Sequence, residues 1–280
     1  MNPVEAPWLA SALYNGVLVT TAGLEVPSLG PRFSGGEGLY ETMRVRHGRV
    51  QMIEAHAARL TASLHAIGAV SRLGSEGFAE RCAQVIAANA ITDGNLKGFF
   101  FKDAAGWSEL IMARGINYAA ERYVAGFRLQ RVPCALRTEL RHGVKALGNQ
   151  DNVRAKRSVQ AAGFDEAVLV DPRGVVLEGA STNVFIVKGG VVGTPHLPSK
   201  ILPGVMRGWV IGSEQSGTVR ERAVLFSELL QADEVFVTNA LMGIMPVVQV
   251  DDTRYDLAGN PVTRALMAAL AAQINPARGR

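Results

Sequence analysis

The chain has 280 residues, 48% of them hydrophobic, which is enough to bury one or two sizeable cores. Its two cysteines, Cys82 and Cys134, are too few for a disulfide framework or a zinc site, so we expect a reducing, cytoplasmic setting and no metal. The formal net charge of +4 comes from scattered residues, and even the densest cluster, at 154–157, reads as a solvated helix face. We therefore expect no nucleic-acid partner. The sequence predicts neither a signal peptide nor a membrane span, because it has no basic segment followed by a long apolar run.

Hydrophobic periodicity predicts the elements of the first part of the chain. Leu60, Leu64 and Ile67 recur at spacings of four and three, which is typical of one face of a helix. The predicted elements, in chain order, are a strand at 40–45, helices at 54–68 and 76–90, and a strand at 96–101. A stretch without a clear hydrophobic period, at 117–126, is the predicted linker. It divides the chain into a smaller domain, 1–120, and a larger one, 121–280.

The second part is richer in strands. The glycine pair Gly189-Gly190, between β-branched runs, predicts a hairpin. Asn260 followed by Pro261 predicts the start of a helix, with Asn260 as its N-cap. The predicted elements are a helix around 154–157, strands at 166–170, 184–187, 191–192, 234–238 and 246–250, and a helix after position 260. Strands and helices follow no regular βαβ repeat, so the fold class is α+β.

Lys145 lies in a bend of the sequence VKALGNQ, ahead of a predicted helix and between two strand-like runs. A lysine in such a bend is either a solvated loop charge or an amine held in a cavity for chemistry. The segment alone leaves both interpretations open.

Three further segments carry small and polar residues. Pro203-Gly204 precedes an apolar helix, whose first N–H groups, at Val205 and Met206, can bind an anion. The β run that ends at 238 leads into the segment TNALMG, which can offer more backbone N–H groups. Glu178 ends another apolar run. Each has an ordinary alternative: a Pro-Gly turn, a strand exit capped by its asparagine, and a carboxylate that caps a turn.

In order and spacing, these segments resemble the pyridoxal-phosphate enzymes of fold type IV, the class IV aminotransferase family. The resemblance covers the chain from about position 35 and implies a small α/β domain followed by a larger, β-barrel-like one. It implies that Lys145, in KALGNQDNVRAK, forms a Schiff base with the cofactor, and that Glu178, in EGASTNVF, pairs with the pyridine nitrogen. Arg59, in HAARL, resembles the arginine that reaches the cofactor phosphate. The remaining residues that it assigns are Asn183, Val205, Met206, Asn239 and Ala240 for the cofactor, and Tyr40 and Lys102 for the substrate.

The resemblance leaves the reaction open. The segment TNALMGIMPV is most similar to 4-amino-4-deoxychorismate lyases, which make 4-aminobenzoate and pyruvate for folate synthesis, so the lyase is the first expectation. A class IV aminotransferase acting on branched-chain or other amino acids is the alternative, and a non-catalytic scaffold of the same fold is a second one. The stretch Gly148-Asn149-Gln150 departs from the family, because the tyrosine that bonds the cofactor ring oxygen is missing. Arg44 and Arg114 join Lys102 as candidates to meet a substrate carboxylate. The resemblance also implies a small anionic amine as substrate and a homodimer.

Overall fold

The computed structural model describes residues 7–22, 24, 38–69, 76–103, 106–116, 118–134, 143–197 and 201–274. Contacts divide the chain into two compact units, Met1–Asn117 with Val144–Asn149, and Tyr118–Gly143 with Gln150–Arg280. The main division lies close to the predicted one. The short segment around Lys145 differs, because it groups with the first unit and not with the larger domain to which the sequence assigned it.

The first unit is built on one antiparallel sheet with the strand order β2-β1-β6-β5-β3-β4. Its strands are β1 (Ser11–Tyr14), β2 (Val17–Thr20), β3 (Gly38–Arg46), β4 (Arg49–Val50), β5 (Asp93–Asp103) and β6 (Gly106–Arg114). The long pairing of β5 with both β3 and β6 forms the centre of this sheet. In it, Tyr40 lies opposite Phe99 and Thr42 opposite Lys97.

Two helices, α1 (Ile53–Ala66) and α2 (Phe78–Ala88), confirm the predicted ones with slightly shorter bounds. Their apolar faces share one core with β3, β5 and β6. A buried ion pair adds to this packing: Nε of Arg81, on α2, donates to Glu109, on β6, at 2.7 Å.

The second unit contains a ten-stranded mixed sheet with the order β12-β11-β10-β14-β15-β7-β8-β9-β13, and β16 pairs with β15. Its strands are β7 (Phe127–Pro133), β8 (Glu166–Val170), β9 (Val175–Gly179), β10 (Asn183–Lys188), β11 (Val191–Pro195), β12 (Val219–Arg222), β13 (Val224–Leu225), β14 (Glu234–Asn239), β15 (Gly243–Val250) and β16 (Thr253–Arg254). The hairpin predicted at Gly189-Gly190 is confirmed, because β10 and β11 pair antiparallel across it. Both glycines adopt positive φ, which the tight turn requires.

The helices of this unit are α3 (Ala120–Ala125), α4 (Gln150–Ala161), α5 (Val205–Gly212), α6 (Phe226–Leu230) and α7 (Pro261–Ile274). Helix α3 falls inside the predicted linker, so most of that stretch is not a linker. Asn260 takes the predicted N-cap position, where its carbonyl accepts the N–H of Arg264 at 3.1 Å, but its side chain does not cap the helix. Glu234, on β14, accepts the N–H groups of Val262 at 3.0 Å and Thr263 at 2.8 Å, whereas the amide of Asn260 has no hydrogen-bond partner among the described residues.

The mixed architecture confirms the α+β prediction. Apolar residues of β7, β8, β10, β14 and β15 form the main core of the second unit. None of the helices within the described ranges is long and apolar enough to span a membrane. The same ranges hold no cluster of three His, Cys, Asp or Glu side chains that could bind a metal ion.

Candidate active site

The segment that carries Lys145 is bonded to β3 by its backbone. The N–H of Tyr40 donates to the carbonyl of Lys145 at 2.9 Å, and the N–H of Leu147 donates to the carbonyl of Gly38 at 2.9 Å. A side chain at Gly38 would prevent this, because its Cβ would lie 2.4 Å from the carbonyl oxygen of Phe100 and 2.7 Å from Leu147. The bend is therefore fastened to the sheet and is not a loose loop.

The amine of Lys145 lies over an aromatic ring. Its nitrogen is 4.5 Å from the centre of the Tyr40 ring, and the nitrogen of Lys97 is 4.9 Å from the same centre. Burial alone would raise the pKa of Tyr40. The positive charges of Lys145 and Lys97, together with hydrogen bonds from Lys145 and Asn149, lower that pKa below its usual value. Two cations thus converge on one half-buried tyrosine, which favours an anionic ligand here.

Arg59 belongs to a buried group on the other side of β3. Its Nε donates to Oε1 of Glu41 at 2.8 Å and its Nη2 donates to Oε2 at 2.5 Å, while Nδ1 of His56 lies 2.8 Å from Oε2. Glu41 is 2% exposed and His56 1%. Sequence reasoning found Arg59 and missed both partners. The helical spacing that places His56 and Arg59 on one face of α1 could have identified the histidine.

The three basic residues proposed for a substrate carboxylate lie apart from Tyr40. Lys102 is exposed, and strand alternation puts its side chain on the opposite face of β5 from Lys97. Arg44 is buried and pairs with Asp93 at 2.5 Å, and Arg114 stacks on Trp8 with its guanidinium carbon 4.7 Å from the ring centre.

Lys97, which the sequence analysis did not single out, lies on the face of β5 that Tyr40 shares on β3. The signal that could have found it is the strand alternation: Lys97 lies opposite Thr42, two residues along β3 from Tyr40.

In the second unit, Glu178 ends β9 and is 5% exposed. Its Oε2 accepts the N–H of Leu202 at 2.9 Å. The carboxylate therefore bonds a segment 24 residues away, just ahead of Pro203-Gly204.

Asn183 shapes the turn that precedes α5. Its Nδ2 donates to the carbonyl of Leu202 at 2.9 Å, and its Oδ1 lies 2.0 Å from the place that a Cβ on Gly204 would occupy. Only glycine fits this approach. Helix α5 begins at Val205 without a side-chain cap, so the N–H groups of Val205 and Met206 lie where an anion is stabilised.

The turn after β14 is capped from within. Oδ1 of Asn239 accepts the N–H groups of Leu241 at 3.0 Å and Met242 at 2.9 Å, and its Nδ2 donates to the carbonyl of Ser181 at 3.3 Å. The side chain of Asn239 therefore caps the turn at the end of β14, as the ordinary interpretation of this segment expects. Ala240 lies inside the turn that this side chain shapes.

Two buried hydroxyl groups adjoin these residues. Oγ1 of Thr182 and Oγ1 of Thr238 have no hydrogen-bond partner within the part of the chain that the structure describes. Thr238 lies opposite Asn183 in the pairing of β10 with β14, and Thr182 precedes Asn183. A buried hydroxyl without a partner costs about 1–3 kcal/mol, so both groups fit a ligand that accepts hydrogen bonds, such as a phosphate. The sequence analysis missed both.

The other lysine of the segment KALGNQDNVRAK is already engaged. Nζ of Lys156 donates to Glu166 at 2.7 Å and to Ser181 at 2.9 Å. Glu166 is fully buried, so this pair stabilises the contact of α4 with β8 and leaves Lys145 as the candidate amine. Lys200 lies outside the described residues.

The chain resembles proteins of known families along most of its length. The model of the amino-transferase class IV family matches residues 38–250. The D-alanine aminotransferase of Bacillus licheniformis is 28% identical over 274 residues, which cover 92% of this chain and 95% of that protein. A provisionally named branched-chain-amino-acid aminotransferase of Methanocaldococcus jannaschii is 30% identical over 237 residues, or 77% of this chain and 79% of that protein.

A solved structure of a Legionella pneumophila protein, provisionally described as a 4-amino-4-deoxychorismate lyase, is 25% identical. It covers 90% of this chain and 97% of its own, with a TM-score of 0.79. The family match takes in Tyr40, Arg59, Lys145, Glu178 and the turn at Gly204. It confirms the resemblance seen in the sequence: this chain belongs to the amino-transferase class IV family.

Proposed function

We propose that the protein is a pyridoxal-phosphate-dependent aminotransferase that acts on small amino acids. The observation that carries this proposal is the half-buried amine of Lys145, fastened to β3 and held over the Tyr40 ring, in a chain of this family. The first expectation from the sequence, the lyase, has weaker support. The two sequence relatives described above carry aminotransferase names, whereas the lyase description comes from a single solved structure among those described. Membership of an enzyme family leaves the scaffold interpretation without support.

Each residue has a role within its own unit. When bound, pyridoxal phosphate supplies a carbonyl for the substrate amine and a ring that takes up the electron pair released from the substrate carbon. Lys145 attaches the cofactor and, once released, moves a proton at that carbon. Tyr40 orients the amine, and Lys97 adds a positive charge that suits the carboxylate of an amino acid.

In the second unit, Glu178 would keep the ring nitrogen protonated, since a buried carboxylate favours a nearby cation. The N–H groups of Val205 and Met206 and the hydroxyls of Thr182 and Thr238 would bind the phosphate. Asn183 and Asn239 shape the two turns that surround this position. Arg59, in the first unit, is the proposed phosphate arginine.

The lyase remains the second candidate, because the segment TNALMGIMPV is most similar to that group and one solved relative carries that provisional description. A single pair of assays separates the two. The aminotransferase reading predicts turnover of D-alanine or a branched-chain amino acid that depends completely on added pyruvate or 2-oxoglutarate. The lyase reading predicts 4-aminobenzoate and pyruvate from aminodeoxychorismate with no acceptor. Acceptor-free product would replace the aminotransferase proposal with the lyase.

The homodimer, which follows from the resemblance, and the cytoplasmic location, which follows from the two cysteines, stay predictions. Light scattering of the purified protein tests the first. A mass of one chain would contradict it.

A further inference from the structure

The negative charge of Glu41 offsets the positive charge with which Arg59 would attract an anion. Burial would raise the pKa of Glu41, yet hydrogen bonding from His56 and the charge of Arg59 hold that pKa at about 2, so the carboxylate is ionised at neutral pH. Burial lowers the pKa of His56, so the imidazole is neutral there. The three side chains together carry no net charge. If these three side chains served only to attract an anion, the attraction would be stronger without the negative charge of Glu41.

Glu41 instead fixes the orientation of the Arg59 guanidinium. It holds Arg59 through two parallel bonds, from Nε and from Nη2, which fix both the plane and the rotation of the guanidinium. His56 fixes the carboxylate in turn from the same helix. A mobile arginine side chain loses considerable rotamer entropy when it binds a ligand. A guanidinium that is already held in place has lost this entropy on folding, so ligand binding no longer incurs the loss.

The Glu41 group also lies within electrostatic reach of the candidate amine. The positive charge of Lys145 contributes to the lowered pKa of His56, as it does to that of Tyr40. Glu41 also follows Tyr40 on β3, and the N–H of Tyr40 donates to the carbonyl of Lys145, so the arginine is held by the same strand to which the candidate lysine is fastened.

We propose that Glu41, supported by His56, is a positioning residue that fixes the guanidinium of Arg59 for the phosphate of the cofactor. The inference rests on the proposed function, which assigns the phosphate contact to Arg59. Glu41 itself touches neither cofactor nor substrate in this proposal.

The first unit offers a matched control. Arg81 donates to Glu109 from Nε at 2.7 Å and from Nη2 at 3.2 Å, which repeats the two-point pairing of Arg59 with Glu41. Both carboxylates are buried. Nη1 of Arg81, however, donates to the carbonyl of Glu76 at 2.7 Å, so this pair fastens α2. Glu109→Gln thus alters a buried carboxylate that is paired with an arginine in the same way, without a predicted effect on the cofactor.

The test compares two ligands of the apoprotein, pyridoxal phosphate and pyridoxal, by fluorescence or absorbance titration. The ratio of their Kd values measures what the phosphate contributes and is independent of activity. Wild type should prefer pyridoxal phosphate strongly. Glu41→Gln should reduce this ratio about tenfold, the usual effect of one charge-assisted hydrogen bond. His56→Phe should reduce it less, and Glu109→Gln should lower Tm while the ratio stays constant.

An unchanged ratio in folded Glu41→Gln overturns the inference, and a raised ratio does so too, because it shows that charge cancellation outweighs positioning. If Glu41→Gln does not fold, His56→Phe decides in the same way. A wild-type protein that binds both ligands equally, or neither, contradicts the proposed function itself, so the two failures are distinguishable.

Discussion

Tyr40 holds Lys145 at both its main chain and its side chain. The N–H of Tyr40 donates to the carbonyl of Lys145 at 2.9 Å, and the lysine nitrogen lies 4.5 Å from the centre of the tyrosine ring. A strand residue thus fixes the backbone of a lysine that is far away in sequence and presents its ring to the amine of that lysine.

We expect the cofactor on Lys145. Borohydride reduction of the purified protein with its cofactor, followed by peptide mass analysis, should place the pyridoxyl group on this residue. Lys156→Met is the matched control, since Lys156 is engaged with Glu166 and should not take the label. A pyridoxyl group on Lys156 or Lys200 in wild type would show that the assignment is wrong.

Tyr40 should ionise at a lower pH than an ordinary tyrosine, whose pKa is about 10. The cause is the charge of Lys145 and Lys97, which outweighs burial. Ultraviolet titration of the apoprotein should show one of its five tyrosines ionising early. That transition should vanish in Tyr40→Phe and move upward in Lys145→Met.

Because the pKa of Tyr40 is lowered in the folded protein, the stability of the fold depends on pH. The folded state favours the ionised form of Tyr40. Ionisation therefore stabilises the fold at a pH above the pKa of Tyr40 in the unfolded chain, and this stabilisation is lost as the pH falls through the pKa of Tyr40 in the folded protein. Tyr40→Phe should therefore cost more stability above about pH 10 than at lower pH, which chemical denaturation at several pH values measures. A large, pH-independent loss would indicate that the hydroxyl acts through packing.

Glu178→Gln should keep the cofactor bound and slow turnover. The substitution removes the charge that favours a protonated ring nitrogen, and a charge-assisted bond of about 1.5–3 kcal/mol corresponds to roughly ten- to a hundredfold in rate. Steady-state kinetics and the cofactor absorbance measure the two effects separately. Unchanged turnover would mean that the carboxylate only holds Leu202.

Lys97 and Lys102 form a second matched pair, on opposite faces of β5. Lys97→Met should raise KM for a substrate that carries a carboxylate by about two- to fivefold, the effect of one half-exposed charge, with little change in kcat. Lys102→Met should leave both constants unaltered. The reverse pattern would restore Lys102 as the substrate-binding residue.

Elements with strong local signals could be predicted from the sequence. The glycine pair at 189–190 and the apolar run at 166–170 carry their own information, since a tight turn needs positive φ and a buried strand needs continuous apolar residues. The helices at 53–66 and 78–88 follow from side-chain spacing within each segment.

Contacts between distant segments could not be predicted in this way. The start of α7 is capped by Glu234, 28 residues before Val262, and no local pattern at Asn260 records that. Lys97 can be identified as a neighbour of Tyr40 only once the register of β5 against β3 is known. The resemblance identified Lys145, Glu178 and Arg59 as candidates, but Glu41 becomes noticeable only once β3 and α1 are packed together.

The segment Val144–Asn149 groups with the first unit while the residues on both sides of it group with the second. The chain therefore passes from one unit to the other three times, at 117–118, 143–144 and 149–150. Cutting the protein at its main division would yield a first fragment without Lys145 and a second fragment whose lysine has lost the strand that fastens it. Neither half would keep the candidate amine together with the strand that supports it. A functional split version would therefore need its break elsewhere, and transfer of residues 1–117 alone to another protein would leave Lys145 behind.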